Sequence, residues 1–293
     1  MSAALIIGSA GQDGLLLAAQ LAERGVAVTG VDRGDVDLTA ARSVADLVAR
    51  VAPDAIYYLA AHHHSSEDAP EPTPVLLEKS LAVHVTGLVH VLEAAGAARV
   101  FYAASSHVFG VPDTVTQNED TPRRPINVYG MTKSLGMDVV RHYREARGVH
   151  ASSGILYNHE SPLRGPTFLS SRVARAAARR EKIAVGSLSA SVDWGWAADY
   201  TEAMQRIVAC PDPGDYVVAT GEAHSVAQLA EAAFAAVGLD WREWVTEDGG
   251  ILKKAGATLV GDASKLRART GWAPTVGFAD MVLRLVASRG AAA

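Results

Sequence analysis

Four side chains that can donate or accept protons lie close together in the sequence: Ser105, His107, Tyr129 and Lys133. Tyr129 and Lys133 are four residues apart, so on a helix they share one face and point towards the same ligand. A free phenol titrates near ~10, and a neighbouring cation favours its anionic form. The spacing predicts a tyrosine that exchanges a proton with an alcohol or sugar oxygen, with Ser105 as a second hydrogen-bond partner. A tyrosine–lysine pair on a helix surface, without a function, is the alternative.

A glycine-rich turn near the start of the chain supports the functional interpretation. Residues 4–7 are apolar, as in a buried parallel strand, and they lead into the turn at residues 8–14, which has the spacing G-x-x-G-x-x-G. Apolar residues at helical spacing follow, and a second apolar segment occupies residues 26–31. A strand, glycine turn, helix and strand form a unit that binds a pyrophosphate at the helix N-terminus. Together with Tyr129 and Lys133, this turn predicts a reductase that uses a dinucleotide cofactor.

Strand and helix patterns alternate through the rest of the first half of the chain, which predicts an α/β fold. The expected architecture is a Rossmann-like doubly wound parallel sheet with a smaller C-terminal α/β substrate lobe. Residues 1–157, with parts of 190–220, are predicted to form the dinucleotide-binding domain, and 158–189 and 221–293 the substrate lobe. Helices are predicted at 41–51, 75–95, 129–147, 226–237 and 278–287, and further strands at 55–59, 100–104 and 151–156.

Composition excludes several classes of protein. The chain has 293 residues and a net charge of -5 with no basic stripe, so no nucleic-acid partner is expected. No apolar run approaches ~20 residues and the first residues form a strand, so we expect no membrane partner and a cytoplasmic protein. The single cysteine, Cys210, excludes an intrachain disulfide and is predicted to be a buried apolar side chain.

The chain resembles the extended short-chain dehydrogenase/reductases of the NDP-sugar epimerase/dehydratase family, and among these the GDP-mannose 4,6-dehydratases. The resemblance covers nearly the whole chain. It is carried by the segments Gly8-Ser-Ala-Gly-Gln-Asp-Gly14, Tyr58-Leu-Ala-Ala61, Tyr129-Gly-Met-Thr-Lys133, Gly154-Ile-Leu-Tyr-Asn-His-Glu-Ser-Pro162, Asp193-Trp-Gly195, Asp199-Tyr200, Tyr216-Val-Val-Ala-Thr-Gly-Glu222, His224-Ser225, Gly261-Asp262 and Gly271-Trp272.

This resemblance implies a nucleotide-sugar substrate and a mechanism. Tyr129 would deprotonate the sugar O4 as C4 is oxidised, Ser105 would bond the same oxygen, and Lys133 would hold the cofactor ribose. The resulting 4-keto group acidifies the C5 proton, a base removes it, water leaves from C6, and the hydride returns to C6. In the family the C5 base is a glutamate two residues beyond the catalytic serine or threonine. Here that position is His107.

The histidine leaves the reaction open. With an unperturbed pKa near ~6.5, His107 could act as the base, and its protonated ring could protonate the departing hydroxyl. The main prediction is therefore a sugar-nucleotide dehydratase with His107 in place of the glutamate, and the alternative is an epimerase or 4-keto reductase of the same family. His107 could also be a hydrogen-bonded residue of the pocket wall. A catalytically inactive nucleotide-binding regulatory protein is the alternative from another class.

Further histidines occur near the same segments. His62, His63 and His64 follow Leu59-Ala-Ala61, and His84 lies in the predicted helix 75–95. Such a group suggests a metal site. We predict polar pocket lining and no metal, because adjacent residues of one chain seldom reach the same ion.

The cofactor is predicted to be NAD, with NADP as the alternative. Asp32 ends the second strand, where a carboxylate binds ribose hydroxyls and disfavours a 2′-phosphate, whereas Arg33 matches the family arginine that holds NADP. The predicted cofactor-binding residues are Gly8, Ser9, Ala10, Gly11, Gln12, Asp13, Gly14, Asp32, Arg33, Asp37, Leu38, Leu59, Ala60, Ala61, His63, Tyr129, Lys133, His159 and Arg164.

The predicted substrate-binding residues are His62, Ser106, His107, Asn158, Thr167 and Arg172. Val192 replaces a family arginine before Asp193, and Lys253 or Lys254 stands in for another. The resembled family has an arginine-rich loop after the second strand that helps it form tetramers and bind NADP. In this chain the loop is cut short, between Arg33 and Asp37. The resemblance therefore implies a homodimer, paired through the helices at 75–95 and 129–147.

Overall fold

The computed structural model describes residues 1–62, 71–251 and 258–290. Its first elements are β1 (Ala3–Ile7), α1 (Gln12–Glu23), β2 (Ala27–Val31), α2 (Ala41–Val51), β3 (Ala55–Tyr58), α3 (Thr73–Leu81), a π-helical turn (Ala82–Thr86), α4 (Gly87–Ala94), β4 (Arg99–Ser105), a 3-10 turn (Ser106–Val108), β5 (Thr116–Gln117), α5 (Val128–Arg147), β6 (Ala151–Leu156) and β7 (Asn158–Glu160). The later elements are α6 (Leu169–Arg179), β8 (Ile183–Val185), β9 (Ser191–Trp196), α7 (Ala197–Ala209), β10 (Asp215–Val218), β11 (Ala223–Ser225), α8 (Val226–Ala235), a 3-10 turn (Trp241–Glu243), β12 (Val245–Glu247), β13 (Val260–Gly261), α9 (Ser264–Thr270) and α10 (Phe278–Gly290).

A parallel six-stranded sheet with the order β10-β6-β4-β3-β1-β2 organises the molecule. Strands β1 and β3 are continuous apolar runs, and all residues of β3 and β6, including Ser152 and Ser153, are buried. Strands of this kind are covered by helices on both faces, which is why their sequences do not alternate between polar and apolar residues. The sheet confirms the predicted doubly wound α/β fold.

A smaller hydrophobic core lies apart from the core of the large sheet. It is formed mainly by α6, α8 and α10, with Trp194 of β9 packed among them. The C-terminal residues Ala263, Leu266 and Trp272 instead belong to the core of the large sheet. The domain boundaries stay a prediction, because packing does not show which segments fold independently.

The predicted elements agree closely with the observed ones. Helix α2 and strand β6 have the predicted bounds, residues 41–51 and 151–156. The predicted long helix at 75–95 runs from Thr73 to Ala94, with a π-helical turn at its centre. Such turns are uncommon and occur often at functional sites.

Among the described residues, the helical segment Thr73–Ala94 is long and apolar enough to cross a bilayer, with a mean hydropathy of 1.5. The sequence-based expectation that no apolar segment approaches ~20 residues is therefore wrong, because this helical segment meets both the length and the mean hydropathy of a membrane span. The segment nevertheless carries Glu78 and Lys79, and its Ser80 and His84 are fully buried in the protein. Leu88 and Val91 belong to the main core, so the C-terminal part of the segment packs against the large sheet.

Candidate active site

A cavity of about 1290 Å³ lies along the carboxyl ends of β1, β2, β3, β4 and β6, where doubly wound sheets bind their ligands. Its volume exceeds that of a typical pocket for one small ligand. The predicted site residues that line it are Gly8, Gly11, Gln12, Asp13, Gly14, Asp32, Arg33, Asp37, Leu38, Leu59, Ala60, Ala61, Ser105, Ser106, His107, Tyr129, Lys133, Asn158, His159, Arg164, Thr167 and Arg172.

Four predicted positions do not contribute to this lining as described. Ser9 and Ala10 face Asp32, whose carboxylate accepts hydrogen bonds from the Ser9 hydroxyl at 2.6 Å and the Ala10 N–H at 2.8 Å. The ring of His62 points towards Glu71, with Nε2 3.6 Å from the carboxylate. His63 lies outside the described residues, as do His64, Lys253 and Lys254.

The glycines of the first turn have separate functions. Gly8 has φ +95°, and a Cβ there would lie 2.7 Å from the backbone nitrogen of Ala60. A Cβ on Gly14 would lie 2.5 Å from the Ser9 oxygen, so only glycine allows the turn to pack against α1. Gly11 has more room, since the nearest atom to its Cβ would be the Gly8 oxygen at 3.6 Å.

Gly11 is the N-cap of α1 and has no side chain that could bond to the N–H groups of the first turn. Gly11, Gln12, Asp13 and Gly14 line the cavity, and the helix dipole favours an anion there. The residues present fit the diphosphate of a dinucleotide.

Three aspartates line the cavity beyond the end of β2: Asp32, Asp35 and Asp37. The Asp35 carboxylate accepts the Asp32 N–H at 2.8 Å. Asp37 accepts both the hydroxyl and the N–H of Thr39, at 2.7 and 2.9 Å, and these bonds lower the pKa of Asp37. Asp37 thus caps its own loop as well as lining the cavity, and negative charge dominates this end of the cavity.

Ser105, Tyr129 and Lys133 meet where β4 ends. Ser105 is the last residue of β4, and its hydroxyl forms a hydrogen bond with the Tyr129 phenol. Helix α5 carries Tyr129 and Lys133 on one face, as the spacing predicts. Lys133 is 1% exposed, its Nζ donates to the Ala103 oxygen at 2.7 Å, and it lies 5.8 Å from the centre of the Tyr129 ring.

The electrostatic expectation for this pair is wrong. Burial raises the pKa of Tyr129 to about 12, although the hydrogen bond with Ser105 lowers it. Burial also lowers the pKa of Lys133 to about 7, so near neutrality the lysine is only partly protonated and is not the permanent cation assumed from the sequence. Desolvation disfavours the charged form of both groups, and its effect exceeds that of their proximity.

His107 is held by Asn127, which the sequence reasoning did not identify. The Asn127 Oδ1 caps α5 by accepting the Gly130 N–H at 2.8 Å, and its Nδ2 lies 3.2 Å from His107 Nδ1. The His107 and Tyr129 rings are perpendicular, with centroids 5.6 Å apart. An asparagine directly before a predicted helix is an N-cap signal, so this residue could have been found from the sequence.

Comparisons with known proteins show the family of this chain. The sequence model described as GDP-mannose 4,6 dehydratase matches residues 34–285. The chain belongs to this family. GDP-mannose 4,6 dehydratase 2 of Arabidopsis thaliana is 34% identical over 319 residues, which cover 97% of this chain and 85% of that protein.

Solved structures share the fold of this GDP-mannose 4,6 dehydratase family member. UDP-glucose 4-epimerase of Thermus thermophilus, in complex with NAD, has a TM-score of 0.86 at 23% identity, covering 99% of this chain and 100% of that one. RMD from Pseudomonas aeruginosa, complexed with NADPH, has a TM-score of 0.85 at 20% identity, covering 99% and 98%. At these identities the likeness shows the fold.

Other family segments have structural contacts within the site. The Asp193 carboxylate accepts the Thr220 N–H and hydroxyl and the N–H groups of Gly221 and Gly261, and so joins three segments. Val192, where the resemblance implies an arginine, lines the cavity as an apolar residue. One positive charge expected from the family is therefore absent from this part of the cavity wall.

Two pairs of an acidic and a basic side chain adjoin the cavity. His159 Nε2 lies 2.9 Å from the Asp13 carboxylate, and His159 Nδ1 lies 2.7 Å from the Tyr157 oxygen. Burial alone would raise the pKa of Asp13 and lower that of His159, but their mutual attraction and hydrogen bonds reverse both shifts. Arg164 pairs with the buried Glu160 at 3.3 Å.

His84, in the π-helical turn, is fully buried behind Tyr129. Its Nε2 accepts the His62 N–H at 3.0 Å, so Nδ1 carries the ring proton and donates to the Thr132 hydroxyl at 2.7 Å. The perpendicular rings of His84 and Tyr129 lie 5.4 Å apart. Within the described ranges, no cluster of three or more His, Cys, Asp or Glu side chains could hold a metal ion.

Proposed function

We propose that this protein oxidises C4 of a nucleotide-linked hexose with a nicotinamide dinucleotide cofactor. The observation that carries the proposal is the meeting of Ser105, Tyr129 and Lys133 in the same cavity as the glycine turn. Family membership, with GDP-mannose 4,6 dehydratases among the relatives, supports a nucleotide sugar and favours GDP-mannose.

The first turn of α1 would hold the cofactor diphosphate, and Asp32 the adenosine ribose. Solved structures of this fold contain NAD or NADPH. We propose NAD, because Asp32, Asp35 and Asp37 line one end of the cavity, where a 2′-phosphate would add further negative charge. When bound, the nicotinamide supplies the hydride acceptor.

Tyr129 accepts the proton of the sugar O4 hydroxyl, and Ser105 donates a hydrogen bond to the same oxygen. A pKa of about 12 makes the Tyr129 phenolate a strong base whose formation needs help. Lys133, with a pKa of about 7, can hold or release a proton near neutrality behind the tyrosine. The three side chains together move one proton between the substrate and the protein.

The fate of the 4-keto sugar has two candidates. Family membership favours dehydration, with loss of the C6 hydroxyl. The contact between Asn127 and His107 Nδ1 favours epimerisation or keto reduction without water loss, because it occupies a lone pair that a C5 base needs.

The test is incubation of the purified protein with NAD and GDP-mannose, then with other GDP- and UDP-hexoses, with mass analysis of the products. Tyr129→Phe should lower turnover about 10²–10⁴-fold. Tyr143→Phe is the matched control on α5, because its hydroxyl bonds Glu93 outside the cavity lining. Absence of turnover on every sugar nucleotide while NAD still binds would contradict the proposal and support the inactive regulatory protein.

We also propose a homodimer formed through α3 and α5. Val75 and Leu77 of α3 are 38% and 37% exposed, and Met131 and Leu135 of α5 are 48% and 44% exposed. Apolar side chains on neighbouring helices form a face suited to a second copy. Light scattering should give twice the mass of the chain, and Leu135→Glu should give monomers.

A further inference from the structure

The orientation of the Asn127 amide determines the tautomer of His107. Asn127 Oδ1 accepts the Gly130 N–H at 2.8 Å, which fixes the oxygen at the helix end and turns Nδ2 towards His107. If the amide were turned around, its NH₂ group would face the Gly130 N–H, and two hydrogen-bond donors would meet. An amide nitrogen offers only protons, so His107 Nδ1 must be the acceptor of this bond.

A neutral imidazole carries one proton, and with Nδ1 as acceptor that proton is on Nε2. If the ring were protonated on both nitrogens, the His107 Nδ1–H would face the Asn127 NH₂ group, and two donors would meet. In this tautomer the Nδ1 lone pair is directed at Asn127, and Nε2 carries a proton in place of a lone pair. His107 therefore has no lone pair with which to accept a carbon-bound proton.

The backbone around His107 holds the ring in place. The Ser105 hydroxyl accepts the His107 N–H at 3.3 Å. On the other side, a Cβ on Gly130 would lie 2.5 Å from the His107 oxygen, so the first turn of α5 packs directly against the His107 backbone. The contact between the ring and Asn127 is therefore built from two adjoining backbone segments.

The carboxylates that line the described part of the cavity have other partners or lie elsewhere. Asp13 pairs with His159, Glu160 with Ser170 and Arg164, and Asp193 with the N–H groups described above. Asp32, Asp35 and Asp37 follow β2, and strands β1 and β3 lie between β2 and β4 in the sheet. These carboxylates do not supply a replacement for a glutamate at position 107.

We propose that Asn127 is a positioning residue that holds His107 as the Nε2–H tautomer, so that His107 meets the sugar as a hydrogen-bond donor and does not remove the C5 proton. This inference rests on the proposed oxidation at C4. The substrate is then a nucleotide hexose that keeps its C6 hydroxyl: the hydride removed from C4 returns to the opposite face of C4, the proton returns to O4 from Tyr129, and no water is lost. The net reaction is an epimerisation at C4.

Asn127→Asp tests the tautomer directly. Aspartate is as good an N-cap as asparagine, so α5 keeps its cap. Its second oxygen accepts a hydrogen bond from His107 Nδ1–H, which leaves the lone pair on Nε2, as the aspartate of a Ser-His-Asp triad does for its histidine. Asn127→Ser is the matched control, because serine caps the helix without an amide.

The first measurement is a long-range ¹H–¹⁵N spectrum of the NAD-bound protein labelled at histidine nitrogens, with His107→Gln identifying the resonances. We expect an unprotonated Nδ1 in the native protein and a protonated Nδ1 in Asn127→Asp. A protonated Nδ1 in the native protein would overturn the proposal. This readout does not depend on turnover.

The second measurement is deuterium incorporation at C5 of the recovered nucleotide sugar in D₂O. The native protein should show none. Asn127→Asp should show at least a tenfold increase over both the native protein and Asn127→Ser, which fixes neither tautomer, and adding His107→Gln should abolish this increase. C5 exchange at the turnover rate in the native protein would overturn the proposal. Failure of C4 oxidation in every variant would overturn the proposed function, and the spectrum alone would then decide the tautomer.

Discussion

Lys133 donates a hydrogen bond from Nζ to the main-chain oxygen of Ala103 at 2.7 Å, and burial lowers its pKa to about 7. The lysine is thus anchored beneath the Tyr129 ring by a neutral partner. Burying an ammonium group without a carboxylate partner destabilises the fold. Lys133 nevertheless lies buried at a position suited to holding the tyrosine and a ligand. Stability and function are therefore expected to conflict at this residue.

We predict that Lys133→Met stabilises the fold while removing activity. Below about pH 7 the folded and unfolded chains both hold the lysine proton, so the full cost of the buried charge is present. Above that pH the folded protein releases the proton, whereas unfolded lysine keeps it until ~10.4, so native stability rises across this range. Lys133→Met lacks this slope. Its free energy of unfolding should exceed that of the native protein by more at pH 6 than at pH 9. At pH 6 the difference should be on the order of 1–3 kcal/mol.

Scanning calorimetry at the two pH values checks this prediction. Lys79→Met, on an exposed residue paired with Glu71, is the control and should show no such pH dependence. A Lys133→Met protein less stable than the native one at pH 6 would contradict the buried-charge explanation.

The glycine turn should separate folding from cofactor binding. Gly11→Ala places a methyl group where only the Gly8 oxygen is near, at 3.6 Å, so Tm should stay within about 1 °C of the native value. The same methyl group faces the cavity at the N-terminus of α1, so NAD affinity should fall about tenfold or more. Gly14→Ala meets the Ser9 oxygen at 2.5 Å and should destabilise the fold by about 1–3 kcal/mol.

Thermal melts and NAD titrations of both variants check this pair. Equal losses of stability would show that the two glycines have the same structural function. Unchanged NAD affinity in Gly11→Ala would contradict the placement of the diphosphate at α1.

The carboxylate at the end of β2 should set the cofactor preference. Asp32→Ser removes a negative charge from a group that also contains Asp35 and Asp37, so the preference for NAD over NADP should fall by about tenfold. Asp120→Ser, which changes a charge outside this cavity, should leave the preference unchanged. Dissociation constants for both cofactors give the ratio, and a ratio unaffected by Asp32→Ser would favour Arg33 as the deciding residue.

Local patterns sufficed for the parallel sheet. Strand β3 is a short apolar run, and α2 has one apolar face, so both elements follow from local patterns. Tyr129 and Lys133 share a helix face for the same reason. These features depend on residues close together in the chain.

Features that depend on distant contacts escaped prediction. The low pKa of Lys133 depends on the depth to which α5 packs on the sheet, which residue spacing does not contain. The tautomer of His107 depends on an amide 20 residues away, and the residue types alone allow either tautomer. The direction of the His62 ring follows from Glu71, which the sequence reasoning did not connect with it.

Asp13→Asn should weaken the fold in a defined pH range. Attraction to His159 lowers the pKa of Asp13, so the pair stabilises the fold above the unfolded carboxyl pKa of ~3.9, and this stability is lost as the pH falls through the folded value. The raised pKa of His159 adds stability that is fully present below ~6.5 and is lost as the pH rises through the folded value. The variant should therefore lose on the order of 1–3 kcal/mol near pH 6 and less at pH 9. Asp280→Asn, in an exposed pair with Arg284, should have little effect at either pH, and an equal loss for Asp13→Asn at both values would show that His159 is neutral in the folded protein.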